Sequence, residues 1–143
     1  MDATPFRVLF LCTGNSARSI LAEALLPHLG GSEYISYSAG SEPTGTVNPL
    51  AIETLEKHGV SIRDPRSKSW DEFVDAEPMD LIVTVCDQAA GEVCPIWPGQ
   101  PHTAHWGIPD PAAVDGSDDE RRAAFEAAYE ELERLIATYL QSR

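Results

Sequence analysis

Short apolar runs alternate along the chain with segments whose apolar residues recur every three or four positions. The runs are typical of buried strands, and the spaced segments are typical of amphipathic helices. The predicted strands are 7–11, 34–38, 80–85 and, more weakly, 103–106. The predicted helices are 19–29, 49–58, a short one opening at 69–72, and a final one from 117 or 118 to about 140. Strands that alternate with helices predict a parallel sheet covered on both faces.

The residues at the helix ends support these boundaries. Asn48 is a good N-cap and is followed by proline, which is favoured at the first helical position. Pro27 should loosen the last turn of the first helix, and Gly30 with Gly31 should end it. Residues 69–72 have capping-box spacing. In such a fold, ligands bind beyond the carboxyl ends of the strands, so the loops that follow the strands are the first places to look for a site.

Charge narrows the range of partners. The 143 residues suit a single domain spanning 1–143, and 10 basic against 23 acidic residues give a net charge of −13. This balance argues against nucleic acid or an anionic membrane as a partner. Residues 1–68 carry a net charge of only −1, whereas 69–114 carry −8, so most positive charge available to an anionic ligand lies in the first half. With no signal-peptide pattern and no long apolar run, we expect a cytoplasmic monomer.

The loop after the first predicted strand has the composition of an anion site. Residues 12–19 read CTGNSARS and lead directly into a helix. A tight loop at a helix N-terminus aims backbone N–H groups at one point, and Arg18 adds a planar fork of donors. The same field should stabilise a Cys12 thiolate, to which Ser19 can donate a hydrogen bond. The expected oxyanion-binding residues are Thr13, Gly14, Asn15, Ser16, Ala17 and Arg18.

This loop resembles that of the low-molecular-weight tyrosine phosphatase superfamily, and more closely its arsenate reductase branch. The similarity extends over almost the whole chain. The supporting segments are 37–40, 48–53, 83–87, 94–95 and 105–111. The resemblance implies a three-layer α/β/α fold with a four-stranded parallel sheet, which agrees with the pattern above. It also implies that Cys12 is the nucleophile of an enzyme.

The two remaining cysteines favour the reductase branch. Cys86 directly follows the third predicted strand, and Cys94 lies beyond a short helical stretch at 88–93. By resemblance to thioredoxin-coupled reductases, Cys12 attacks arsenate, Cys86 attacks the Cys12 adduct, and Cys94 attacks Cys86, leaving a Cys86–Cys94 disulfide. An external thiol would then regenerate the enzyme. The interval between Cys86 and Cys94 leaves the reductant open: thioredoxin leads, with glutathione and glutaredoxin or mycothiol as alternatives. No bound cofactor is expected.

Asp110, followed by proline, resembles the general acid of the superfamily, which protonates the leaving oxygen. The alternative function is a phosphatase that hydrolyses phosphoesters through a Cys12 phosphoenzyme. Ala112, Ala113 and Val114 stand where tyrosine phosphatases of the family usually carry aromatic residues, which favours a small inorganic oxyanion. A binding or redox-sensing module without turnover would be indicated by loss of Cys12 or Arg18, and both residues are present.

No metal ion is predicted. His102 and His105 fit no standard zinc spacing. Some relatives bind potassium beside the loop, and Asn15, Glu23 and Ser38 match positions used there. Ser69, however, stands where a carboxylate is expected, so the sequence does not predict a bound potassium ion.

Overall fold

The structure is a computed structural model that describes residues 5–62, 64–73, 78–85 and 101–142. The strands are β1 (Phe6–Leu11), β2 (Tyr34–Ala39), β3 (Leu81–Thr84) and β4 (His102–His105). The α-helices are α1 (Arg18–Gly30), α2 (Pro49–Lys57) and α3 (Asp118–Gln141). Short 3₁₀ turns cover Gly31–Glu33, Trp70–Phe73 and Pro111–Ala113. The short helix predicted at 88–93 lies outside the described residues.

The strands form one parallel sheet in the order β2-β1-β3-β4. Leu11, at the end of β1, pairs with Ala39 of β2 on one side and with Thr84 of β3 on the other. The carboxyl ends of these three strands therefore meet at one edge of the sheet. The predicted α/β fold with a four-stranded parallel sheet is confirmed.

Alternation along β1 divides the core between the two faces of the sheet. Val8 and Phe10 pack into a large cluster to which all three described α-helices contribute. Leu9 and Leu11 face the other way, into a smaller cluster that includes Phe73 of a 3₁₀ turn. The inner residues of β1 are buried on both faces, which is why the run was uniformly apolar rather than alternating.

The helix ends follow the capping residues. The Asn48 side chain accepts a hydrogen bond from the Leu50 N–H, and Ser117 forms a complete capping box with Glu120. Pro27 lies inside α1, which nevertheless continues to Gly30, and Gly31 follows with a positive φ of 81°, which favours glycine. None of the helices in the described ranges is long and apolar enough to span a membrane.

The capping box predicted at 69–72 is wrong in detail. Ser69 Oγ accepts a hydrogen bond from the Asp71 N–H at 3.1 Å, but only a 3₁₀ turn follows. The Glu72 carboxylate faces Arg66, whose guanidinium donates to its two oxygens at 2.9 and 3.3 Å. This carboxylate therefore does not make the return contact that a capping box requires, because an arginine six residues earlier holds it.

Candidate active site

The loop of residues 12–17 lies between β1 and α1, at the centre of the sheet edge. The chain leaves β1 toward β2 on one side, whereas it leaves β3 toward β4 on the other. The adjoining ends of β1 and β3 are therefore the switch point at which ligands bind in open parallel sheets. The Val85 N–H donates to Leu11 O at 2.9 Å, so the chain just after β3 lies beside the chain just before Cys12.

Neighbouring backbone holds the carbonyl groups of the loop. Thr13 O, Gly14 O and Ser16 O accept hydrogen bonds of 2.8–3.0 Å from the N–H groups of Glu42, Thr44 and Asn48, respectively. In a trans peptide the next N–H points away from the carbonyl, so the N–H groups of residues 14, 15 and 17 point to the opposite side. Several donors converging on one side can bind a tetrahedral oxyanion.

Asn15 gives the loop its sharp turn and fixes its position. Its φ of 46° lies in the left-handed region, which asparagine tolerates, and its side chain is fully buried. Asn15 Oδ1 accepts a hydrogen bond from the Lys68 N–H at 2.8 Å, and Nδ2 donates to Ser19 Oγ at 2.8 Å. Because the Lys68 N–H can only donate, this contact also fixes which end of the amide is the oxygen.

The sulfur of Cys12 is in hydrogen-bond contact with Ser19. Sγ and Oγ are 3.1 Å apart, and both residues are buried. Since Ser19 Oγ already accepts from Asn15, the single hydroxyl hydrogen of Ser19 is available for the sulfur. A hydrogen bond of this kind stabilises a thiolate more than a thiol. The contact between these two residues is the one expected from the sequence.

Arg18 brings Asp110 to the loop. Its Nη1 donates to Ile108 O at 2.9 Å, and its Nη2 is 3.7 Å from Asp110 Oδ2. The Arg18 side chain is 15% exposed, against 43% for Asp110, so the guanidinium lies below a more accessible carboxyl. Asp110 Oδ1 also accepts from the Ala112 N–H and caps the 3₁₀ turn that follows. A structural and a catalytic role for Asp110 are therefore compatible.

Two further residues support the loop, and the sequence did not assign them a role. Gly40 follows β2 and lies so close to the loop that an added Cβ would be 2.4 Å from Thr13 O and 2.6 Å from Cys12 O. Only glycine fits such an approach. The sequence shows that Gly40 follows a predicted strand. The close approach of Gly40 to the loop arises only in the tertiary fold.

Lys68 is the second of these residues. It is a charged residue with only 8% of its surface exposed. Its Nζ donates to Arg66 O at 3.0 Å and to Ser38 Oγ at 3.4 Å, and it lies 3.9 Å from Glu23 Oε1. Burial lowers the pKa of Lys68 and raises the pKa of Glu23, although each charge partly offsets the shift of the other. No sequence signal marked this lysine.

The structure does not describe every residue that the sequence analysis singled out. Cys86 and Cys94 lie outside the described residues. His105 Nδ1 is 2.7 Å from Thr84 Oγ1. Within the described part of the chain, no three histidine, cysteine or acidic side chains are grouped as a metal site would require.

A buried cysteine and an arginine on a strand–loop–helix segment are features of the phosphatase-type class of α/β protein. The chain belongs to the low molecular weight phosphotyrosine protein phosphatase family, whose sequence pattern matches residues 7–142.

Individual members of the family show which proteins this chain is similar to. An arsenate reductase of Halalkalibacterium halodurans is 38% identical over 135 residues, which are 94% of this chain and 95% of that protein. A thioredoxin-dependent arsenate reductase of Corynebacterium glutamicum has a solved structure with a TM-score of 0.66 and 31% identity, covering 97% of this chain and 65% of that one. A low molecular weight protein tyrosine phosphatase of T. tengcongensis superposes with a TM-score of 0.77 at 25% identity, covering 96% and 99% of the two chains.

Proposed function

We propose that this protein reduces arsenate to arsenite, with Cys12 as the nucleophile. The observation that carries the proposal is the buried Cys12 sulfur, 3.1 Å from Ser19 Oγ, at the start of a loop whose carbonyl groups are held outward by neighbouring backbone. Arsenate is a tetrahedral dianion of the size that such a loop binds. Relatives bearing the name arsenate reductase, 38% and 34% identical over 94% of the chain, support this choice of oxyanion.

In the first step, the Cys12 thiolate attacks arsenic and forms a sulfur–arsenic bond. Arg18 binds two of the oxygens, and the backbone N–H groups of the loop bind the others. Asp110 donates a proton to the departing hydroxyl group of arsenate, which leaves as water. Arsenic is still pentavalent at this point, so no electron pair has yet been transferred to it.

The second step reduces arsenic. The Cys86 thiolate attacks the Cys12 sulfur, a Cys12–Cys86 disulfide forms, and the electron pair of the broken sulfur–arsenic bond passes to arsenic, which is released as arsenite. The Cys94 thiolate then attacks the Cys86 sulfur and restores the Cys12 thiolate. The resulting Cys86–Cys94 disulfide accepts two electrons from an external reductant, either one dithiol or two monothiols. The hydrogen bond from the Val85 N–H to Leu11 O supports attack of Cys86 on Cys12, because it joins the chain just before Cys86 to the chain just before Cys12.

We propose thioredoxin as the reductant, with glutathione and glutaredoxin or mycothiol as the alternatives. The Corynebacterium glutamicum relative is described as thioredoxin-dependent, and this supports a protein dithiol. The partners proposed are therefore an arsenate- or phosphate-type oxyanion and a thiol reductant.

The second candidate function is hydrolysis of phosphoesters. It uses the same Cys12 attack and the same acid, followed by attack of water on phosphorus, and it needs neither Cys86 nor Cys94. The exposed Ala112 and Ala113 after Asp110 offer no aromatic wall for a phosphotyrosine ring, which favours the inorganic substrate.

The deciding experiment compares arsenate reduction by the wild type, Cys86→Ser and Cys94→Ser with each reductant in turn. We expect both variants to lose turnover, while Cys12→Ser loses arsenate reduction and phosphoester hydrolysis together. Arsenate reduction by Cys86→Ser at the wild-type rate would remove the thiol relay. Brisk hydrolysis of para-nitrophenyl phosphate without arsenate reduction would establish the phosphatase instead.

A further inference from the structure

A buried ion pair lies directly behind the Cys12 loop and takes no part in the steps above. Lys68 Nζ, Ser38 Oγ and Glu23 Oε1 form a line of contacts, in which the ammonium donates to the hydroxyl and the hydroxyl donates to the carboxylate. The side chains of Lys68 and Glu23 are only 8% and 17% exposed. A buried ion pair contributes little net stability in general, so stability alone does not explain this one.

The backbone of Lys68 ties this pair to the sulfur. The Lys68 N–H donates to Asn15 Oδ1, Asn15 Nδ2 donates to Ser19 Oγ, and Ser19 Oγ contacts Cys12 Sγ. The Lys68 carbonyl accepts from the Gly40 N–H at 2.9 Å. The backbone N–H and carbonyl of Lys68 therefore both help to position the loop. The side chain of Lys68 fixes this backbone to Glu23 and Ser38.

The potassium site of some relatives does not fit these residues. Glu23 and Ser38 would be two of the ligands, but the ammonium of Lys68 already lies against both oxygens. A second cation there would be repelled by the ammonium, and Ser69 supplies a hydroxyl where a carboxylate would be needed to offset it. The third matching residue, Asn15, has its oxygen occupied by the Lys68 N–H.

We propose that the Lys68 ammonium is a built-in cation that positions the Cys12 loop, so that this protein needs no bound monovalent cation. Lys68 is a positioning residue, because it acts on the sulfur only through Asn15 and Ser19. The proposal concerns the same loop as the proposed function, but it does not depend on whether Cys12 attacks arsenate or a phosphoester.

Removal of the Lys68 ammonium would change the charge around Glu23. Glu23 would remain as a buried carboxylate that has lost the ammonium beside it, a state that folded proteins avoid by binding another cation or a proton. Truncation of Lys68 to alanine also opens space beside Glu23 and Ser38, which a potassium ion could enter. Truncation to methionine removes the charge but fills that space.

The test uses chains in which Cys86 and Cys94 are serine, so that Cys12 is the sole thiol. The rate of Cys12 alkylation by iodoacetamide and the melting temperature are measured in potassium chloride and in tetramethylammonium chloride at equal ionic strength. We expect no difference between the two salts with Lys68 in place. Lys68→Ala should react roughly tenfold more slowly in tetramethylammonium chloride, and potassium should restore both its rate and its melting temperature.

Three controls separate the charge of Lys68 from the space that it fills, from its location and from its partner Glu23. Lys68→Met should lose reactivity without restoration by potassium. Lys57→Ala removes the same charge from an exposed lysine that pairs with Glu126, and it should behave as the parent chain. Addition of Glu23→Gln to Lys68→Ala should abolish the potassium effect.

Three results would overturn the proposal: a parent chain that potassium accelerates or stabilises, a Lys68→Ala chain with the parent rate in tetramethylammonium chloride, or a Lys68→Ala chain that potassium does not restore. The first comparison needs no variant at Lys68, so it remains decisive if that variant does not fold. Alkylation requires no arsenate, so failure of the proposed reaction leaves this result intact.

Discussion

Replacement of Gly40 by alanine is expected to damage the Cys12 loop rather than the core. The added Cβ would meet two backbone oxygens, at 2.4 Å from Thr13 O and 2.6 Å from Cys12 O. Gly40 cannot easily retreat, because its N–H donates to Lys68 O and its carbonyl accepts from the Trp70 N–H, each at 2.9 Å. The substitution therefore forces the strand end and the loop apart.

The distances set the size of the effect. A separation of 3.0 Å, still shorter than ordinary contact, requires the two backbones to move apart by about 0.6 Å. Overpacking of this kind typically costs about 1–3 kcal/mol of stability. A misplacement of about 1 Å at a reacting group can lower a rate by about 100-fold. We therefore expect Gly40→Ala to melt several degrees below the wild type and to turn over arsenate roughly 10- to 100-fold more slowly.

The matched control is Gly31→Ala, at the end of α1. Gly31 has a φ of 81°, and an added Cβ there would meet nothing within 4 Å. With φ 81° and ψ −167°, Gly31 occupies a backbone region that is almost exclusive to glycine and that costs another residue about 1–3 kcal/mol, so this variant should lose comparable stability but keep its turnover. Wild-type turnover by Gly40→Ala, or an equal loss of turnover in Gly31→Ala, would refute the claim that Gly40 positions the loop.

Three further substitutions test other parts of the site and of the core. Ser19→Ala should lower the rate of Cys12 alkylation near neutral pH by roughly tenfold, because a thiolate loses a hydrogen bond of about 1.5–3 kcal/mol; an unchanged rate would exclude this role. Asp110→Asn should lower kcat by about 10²- to 10⁴-fold with an unchanged melting temperature, since asparagine caps the 3₁₀ turn equally well; a wild-type pH–rate profile would contradict an acid role. Burial and two nearby carboxylates raise the pKa of Tyr129 above 10.0, so its stabilising contribution is full below about pH 10 and is lost as pH rises through the raised value. Tyr129→Phe should therefore lose less of its unfolding free energy above about pH 10 than the wild type does, as denaturant titrations would measure.

The strands and helices were largely predictable because each is specified by its own residues. The apolar run of β1 can only be satisfied inside a sheet covered on both faces, and the structure extends it by a single residue. The start of α2 lies at Asn48 and Pro49 because these residues satisfy the first turn locally. The capping box predicted at 69–72 is wrong because a contact from outside the turn decides the local structure. Arg66 binds the Glu72 carboxylate that the capping box would have required.

The support behind the loop could not be predicted, because it is made by tertiary contacts between segments without periodic patterns. Lys68 stands in a polar stretch and would ordinarily be assigned to the surface, whereas the structure buries it against Glu23 of α1 and Ser38 of β2. The backbone hydrogen bond from the Gly40 N–H to Lys68 O and the parallel bridge between Gly40 and Ser69 bring Lys68 to the end of β2. Cys12 and Arg18, by contrast, could be singled out because their spacing on a strand–loop–helix segment carries its own chemistry.

The net charge of −13 limits what approaches the surface but does not decide what the loop binds. Charges on exposed side chains are screened over about 8–10 Å at ordinary ionic strength. The donors of the loop act at contact distance, and the Arg18 guanidinium lies in a largely buried setting where screening is weaker. The opposite charges of Lys68 and Glu23 nearly cancel behind the loop. The total charge of the protein therefore does not determine how strongly the loop attracts an oxyanion. The prediction of an oxyanion at Cys12 is for this reason compatible with a strongly acidic protein.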